Sequence, residues 1–202
     1  MKQVVAVAAF ACLFALPVLA QAQAQAQAPA PAQAPAAQAA PATPPAQPLS
    51  ATLKSMWDGL KLNLVQSAEK MPEGDFSFQP TKDVRTFGQM IAHVANSSFS
   101  YCARSKGEDN PNKEDFEKTK TTKADLVKAL NDAVAYCDGV YGGMTDASAM
   151  ELVKAGQNLV PRARYLITNI SHDNEHYGNL VTYMRLKGLV PPSTERAQQM
   201  RK

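Results

Sequence analysis

The chain lacks the signatures of several large enzyme classes. It has no G-x-S-x-G turn and no convincing strand pattern to carry one, which excludes a Ser-His-Asp hydrolase of that design. It has no glycine-rich loop of the kind that cradles phosphate. Charge of one sign is also missing. Once Lys2 is set aside with a leader, 20 of the 21 basic residues remain against 18 acidic ones. No dense basic patch interrupts that balance, so nucleic acid is not an expected partner. Cysteine and histidine are scarce, three of each in 202 residues. The methionines and tyrosines fit a core, and no cofactor box stands out among them.

What is present begins with a leader. "MKQVVAVAAFACLFALPVLA", residues 1–20, has a basic start, an apolar run and small residues before a cut after Ala20 or Ala22, which reads as a secretory signal peptide. Cys12 lies inside the apolar run rather than at its end, which argues against lipidation there. Residues 21–48 contain only Gln, Ala, Pro and one Thr, and cannot bury a core. They read as a disordered tether. The expected location of the mature chain is periplasmic or secreted, with no membrane span left after cleavage.

Residues 49–195 have the size of one domain, with 196–202 as a tail. Four amphipathic helices are expected. The first is capped by Ser50 and carries Leu53, Trp57, Leu60, Leu64 and Ala68 on one face; Pro72 and Gly74 end it. The second opens with Thr86 and Gln89 at capping-box spacing, runs to about Arg104 and turns Phe87, Met90, Ile91, Val94, Ser98 and Cys102 inward. A polar crossing from Ser105 to Thr121 reads as loop. Thr122 caps the third helix, which turns Leu126, Leu130, Ala133 and Cys137 inward. A short helical turn is expected over 146–154. Pro161 suits the first turn of the last helix, which ends at Lys187 with Gly188 as a left-handed cap.

After export the domain keeps Cys102 and Cys137, either as a disulfide or as two buried thiols. Each lies ~15 residues into its helix, roughly 23 Å from the start at 1.5 Å per residue. They reach the same height only if helices two and three run parallel. A crossing of this length spans up to ~56 Å when extended, enough to return along a helix. A disulfide thus fits a bundle with one long crossover and is incompatible with a plain up-down-up-down course.

Two of the three histidines, His172 and His176, stand four apart in "SHDNEHYGN". On a helix that spacing stacks both imidazoles on one side, within reach of one ion. They lie beside the apolar stripe, in a strip with Tyr165, Asn169, Asn179 and Tyr183. His93 occupies a similar uncharged strip on helix two, with Gln89, Asn96, Ser97 and Ser100. If the two strips face each other, three histidines complete a site with one position open. Zinc, nickel, iron or copper suits imidazole. "HDNEH" also satisfies H-x-x-E-H, the inverted zinc-protease motif with Glu175 as base, but ~150 residues leave little room for a peptide cleft. Arg162 and Arg164 are either holders of an anionic substrate or ordinary solvent-facing arginines.

"DFSFQPTKDVRTFGQMIAHVAN" (75–96) and "HDNEHYGNLVTYMRLKGLVPPS" (172–193) resemble two segments of DinB-like proteins: a loop and helix bearing a first metal histidine, and a final helix with an H-x-x-x-H pair. Together they bracket nearly the whole domain. The resemblance implies an all-α four-helix bundle with an up-down-down-up course. It also implies a divalent metal (zinc, nickel or iron) on His93, His172 and His176, and frequent homodimers. Known activities in the family include metal-dependent thiol transferases and a maleylpyruvate isomerase. The leader and tether set this chain apart from the usual cytoplasmic members. Three functions follow as expectations. The first is a metal-dependent transferase or hydrolase of a small molecule, in which Asn96, Tyr165 and Asn169 orient the bound group and Glu175 moves a proton. The second is a non-catalytic metal-binding or stress-response protein. The third is an adhesion or scaffold bundle without metal, which a His93 side chain pointing away from the other two would support.

Overall fold

The structure is a computed structural model that describes residues 46–201. The leader, Cys12 and the tether as far as Pro45 lie outside the described residues.

Four long helices form the body: α1 (Pro48–Lys70), α2 (Phe87–Lys106), α4 (Lys123–Gly142) and α6 (Ala163–Leu186). The caps follow the local chemistry. Thr86 accepts from the Gln89 amide while the Gln89 side chain reaches back to the Thr86 amide, a complete capping box. Thr122 accepts from Asp125 at the start of α4. At the end of α6, Gly188 sits at φ +73°. The Leu189 amide donates back to Met184 and that of Gly188 to Arg185, the paired bonds of a Schellman ending.

The first cap differs from expectation. The helix starts at Pro48, inside the expected tether, so Ser50 is not its N-cap. Asp146, far away in sequence, supplies the acceptors: its two carboxylate oxygens take the amides of Leu49 (3.2 Å) and Ser50 (2.8 Å). No local pattern announces a cap delivered from ~100 residues downstream.

Helix directions follow from which ends meet. Gly88 and Leu126, near the starts of α2 and α4, are in close contact. Cys102 and Cys137, near their ends, are joined by a disulfide with Cα atoms 5.5 Å apart. The two helices therefore run the same way. Against α2, α6 runs in reverse, with His93 beside His176 and Ser105 beside Arg162. Against α4, α1 also runs in reverse, since Trp57 meets Asp138 and Lys123 meets Glu69. The core between them centres on Trp57, fully buried and stacked on Tyr141 with planes 5° apart and centroids at 5.0 Å. Burial pushes the Tyr141 phenol well above its ordinary pKa. Among the described residues no helix is long and apolar enough to cross a membrane.

Three connections correct the sequence reading. The crossing is not all loop: α3 (Phe116–Thr119) inserts Phe116 into the core, and Asn96 pins it by accepting the Phe116 amide and donating to Asp115. The expected helical turn over 146–154 stops early, at α5 (Asp146–Ala149). A hairpin follows, β1 (Leu152–Ala155) and β2 (Asn158–Pro161), in register from Leu152↔Pro161 to Ala155↔Asn158. Gly156 at φ +63° turns it with Gln157, the two-residue geometry that favours positive φ. Strands of four residues are too short to show a period of two, and Pro161 closes the hairpin instead of opening α6. The expected boundary at 195 falls inside α7 (Pro192–Gln199), which Arg196 ties to Gln66 and Asn63 of α1.

Candidate metal centre

His93 lies nearly two turns into α2, and His172 and His176 lie midway along α6. Because these helices pack antiparallel, the rings meet. His172 Nε2 is 3.2 Å from His93 Nε2 and 3.1 Å from His176 Nε2. One nitrogen from each residue lies within 4.8 Å of the others. The His93 side chain points toward the pair, so the arrangement that would have supported a metal-free scaffold is not the one present.

Two nitrogens at 3.1–3.2 Å subtend about 100° at an ion ~2.0–2.1 Å from each, within the range of zinc and similar cations. The outer nitrogens show which way the lone pairs point. His93 Nδ1 is 2.6 Å from Glu117 Oε1, and His172 Nδ1 is 3.2 Å from Asp173 Oδ1. A carboxylate accepts, so each ring carries its proton on Nδ1 and turns the bare Nε2 inward. His176 Nδ1 lies 3.5 Å from the side-chain amide of Asn179. The bare Nε2 atoms of His93 and His172 face one another at 3.2 Å and repel, and a cation between them relieves the repulsion. The donor set fits a divalent metal.

The two carboxylates differ in setting. Asp173 is fully buried and also accepts from Ser98 Oγ at 2.9 Å. Burial pushes its carboxyl above the usual range, while the bonds from His172 and Ser98 pull it back. Glu117 is half-buried, and burial alone would push it up; the bonds from Arg85 (2.7 Å) and His93 outweigh that and hold it low. His176 is pushed down to about 4, by burial first and then by its histidine neighbours and Arg85.

Beside His176 opens a cleft of about 680 Å³, walled by Arg85, Gln89, Glu175, Asn179 and Tyr183. Glu175 is exposed on this wall and bonds to none of the histidines. The residues expected to orient a bound group are occupied elsewhere. Asn96 holds the crossing, and Tyr165 donates to the Lys154 carbonyl of the hairpin at 3.0 Å. Asn169 is buried against Tyr141, 3.4 Å away. Stripe membership on a helical wheel placed them near the histidines but said nothing of which atoms they would bond. Arg162 is tied to Ser105 and Glu151, and Arg164 is exposed; neither lines the cleft. Asp173 did carry a sequence signal, since it falls in the stripe of Leu166, Ile170 and Tyr177 where a carboxylate is out of place. Glu117 and Arg85 carried none, because their partners are distant in sequence.

The sequence profile of the DinB superfamily matches residues 56–180. Solved structures of similar fold include a DinB-like protein from Bacillus cereus ATCC 10987, with 16% identity and a TM-score of 0.60, covering 69% of this chain and 93% of that one. Another is the DinB-like protein YjoA from Bacillus subtilis, with 20% identity and a TM-score of 0.57, covering 68% and 92%. A mycothiol-dependent maleylpyruvate isomerase shares the fold at 16% identity and a TM-score of 0.53, over 65% of this chain and 60% of that one. Among curated proteins none matches the chain in sequence.

Proposed function

The chain belongs to the DinB superfamily, and from that premise we propose that it is an exported metal-dependent enzyme acting on a small organic molecule by group transfer or hydrolysis. The observation that carries this reading is the convergence of three Nε2 atoms, two of them on rings turned inward by Glu117 and Asp173. His93, His172 and His176 are the ligands. Zinc, nickel or iron suits three imidazoles. When bound, such a cation supplies Lewis acidity and lowers the pKa of a thiol or water beside it.

The chain's own groups do the rest. Glu117 and Asp173 fix two of the rings, so no rotamer has to be selected when the ion arrives. Three protein ligands leave a position open for an exchangeable group. Glu175, exposed on the cleft wall beside His176, is the carboxylate available to take up a proton there. The isomerase neighbour lends support to an enzymatic role within this fold. The bridge between Cys102 and Cys137 supports export, because disulfides persist in oxidising compartments.

Elemental analysis of the purified protein should find about one divalent ion per chain, and His93→Ala should lose it. Equal metal in the variant would refute the three-histidine assignment. Cobalt substitution then separates catalysis from storage. An open position makes the visible spectrum respond to added azide or thiol, and a closed storage site leaves it unchanged.

A further inference from the structure

The wall of the cleft beside His176 holds an arginine that has no obvious structural duty at its tip. Arg85 lies just before the Thr86 cap, and its carbonyl accepts from Tyr183 Oη at 2.8 Å. Its Nε donates to Glu117 Oε2 at 2.7 Å. The two terminal nitrogens have no hydrogen-bond partner among the described residues, and the side chain is 40% exposed on the cleft. Arg85 is thus held at its backbone carbonyl and at its Nε while its fork is left free.

We propose that Arg85 is a substrate anchor: the cleft takes a small organic carboxylate, whose carboxylate lies on the Arg85 fork while the rest of the molecule lies against His176. This rests on the metal-dependent enzyme reading above and names its substrate class. The planar fork matches a carboxylate with two parallel bonds, which a lysine cannot do. Because Glu117 and the Tyr183 hydroxyl already restrain the arginine, little side-chain freedom is lost when the ligand arrives. The same Glu117 carboxylate bonds His93 through its other oxygen, so the anchor and one metal ligand share a single rigid support.

Charge selects among anions. Lys82, Asp83 and Glu175 also line the cleft, and Glu117 offsets much of the Arg85 charge. This balance suits a single negative charge better than a phosphate dianion. Arg162 and Arg164, the other candidates for an anion, are respectively tied up and outside the cleft.

The test uses acetate, benzoate and succinamate as singly charged probes, with succinamide as the uncharged control and inorganic phosphate as the competing anion. Calorimetry on the metal-loaded protein should show at least one carboxylate binding about tenfold or more tightly than succinamide and phosphate. Arg85→Gln should lose that tenfold preference while keeping its metal, and Arg85→Lys should restore only part of it. In the metal-free protein, the nitrogen–proton NMR signal of the Arg85 Nε should shift when the binding carboxylate is added. No binding by any of the three carboxylates, or equal affinity in Arg85→Gln, overturns the anchor. So does tighter binding of phosphate. Loss of metal from both Arg85 variants would mean that the residue acts through Glu117 on His93 instead. Absence of metal from the wild-type protein is a separate failure, of the enzyme reading itself, and the NMR arm still decides whether Arg85 grips a carboxylate.

Discussion

Replacing Asp173 by asparagine should move stability in opposite directions with and without metal. The side chain is fully buried, and burial keeps its carboxyl reluctant to ionise despite the bonds from His172 and Ser98. Asparagine keeps the shape and removes the buried charge, so the metal-free Asp173→Asn protein should melt at or above the wild-type temperature. The metal-loaded protein should lose. A histidine ligand whose carboxylate partner is removed binds its metal ~10–100-fold more weakly, or about 1.4–2.7 kcal/mol. Under excess metal that loss passes directly into folding stability. For a domain of this size each kcal/mol is worth roughly 2–4 °C, so the metal-induced rise in Tm should shrink by roughly 3–10 °C. Differential scanning calorimetry, with and without a fixed excess of zinc, gives both numbers from one preparation. An equal metal-induced rise in variant and wild type would show that Asp173 does not position His172.

Other perturbations address the scaffold. Changing Cys102 and Cys137 both to serine opens a loop of 35 residues and should cost about 4 kcal/mol in the chain-entropy model; equal melting of wild type and double variant would refute that role. Leu166→Ala, at a site with no exposure, should cost ~2–5 kcal/mol by urea titration, and a loss under ~1 kcal/mol would mean the core collapses around the gap. Gly188→Ala should cost ~1 kcal/mol from its left-handed backbone alone, since nothing lies within 4 Å of the added carbon; no change in midpoint would contradict the Schellman ending. The amides of Ser50 and Leu49 hold the Asp146 carboxyl below its unfolded value of 3.8. Its contribution is therefore full above that value and disappears as pH falls through the lower folded value. Asp146→Asn should flatten the acid unfolding that sets in below about pH 4, and superimposable acid profiles would rule the cap out.

The sequence revealed structure wherever cause and effect were close along the chain. The Thr86–Gln89 box, the Thr122 cap and the Gly188 ending are local hydrogen-bond patterns, and the amphipathic faces repeat over many turns. The three histidines were legible because two of them share a helix face and the third sits in a similar polar strip. What stayed hidden depends on distant partners. Asp146 caps a helix from the far end of the chain, and Glu117 reaches His93 only after Phe116 docks and Asn96 pins the crossing. Arg85 becomes notable only when its Nε is seen to be occupied and its fork free. The hairpin escaped because four-residue strands offer too few positions for a period. Asn96, Tyr165 and Asn169 show the limit of a helical wheel: it assigns a direction, and the hydrogen-bond partner depends on neighbours the wheel does not contain.

The distribution of the three histidines along the chain also bears on how the proposed metal site is assembled. Synthesis delivers α2, the crossing and α4 first, and this stretch contains His93, its Glu117 support and both cysteines. A chain halted there owns one imidazole and has no chelate to offer. His172 and His176 arrive together on α6, and the docking of α6 against α2 is what brings all three imidazoles to one place. A three-imidazole site therefore exists only in chains whose last long helix is seated. Under the proposed function, metal content would therefore serve as an index of finished assembly.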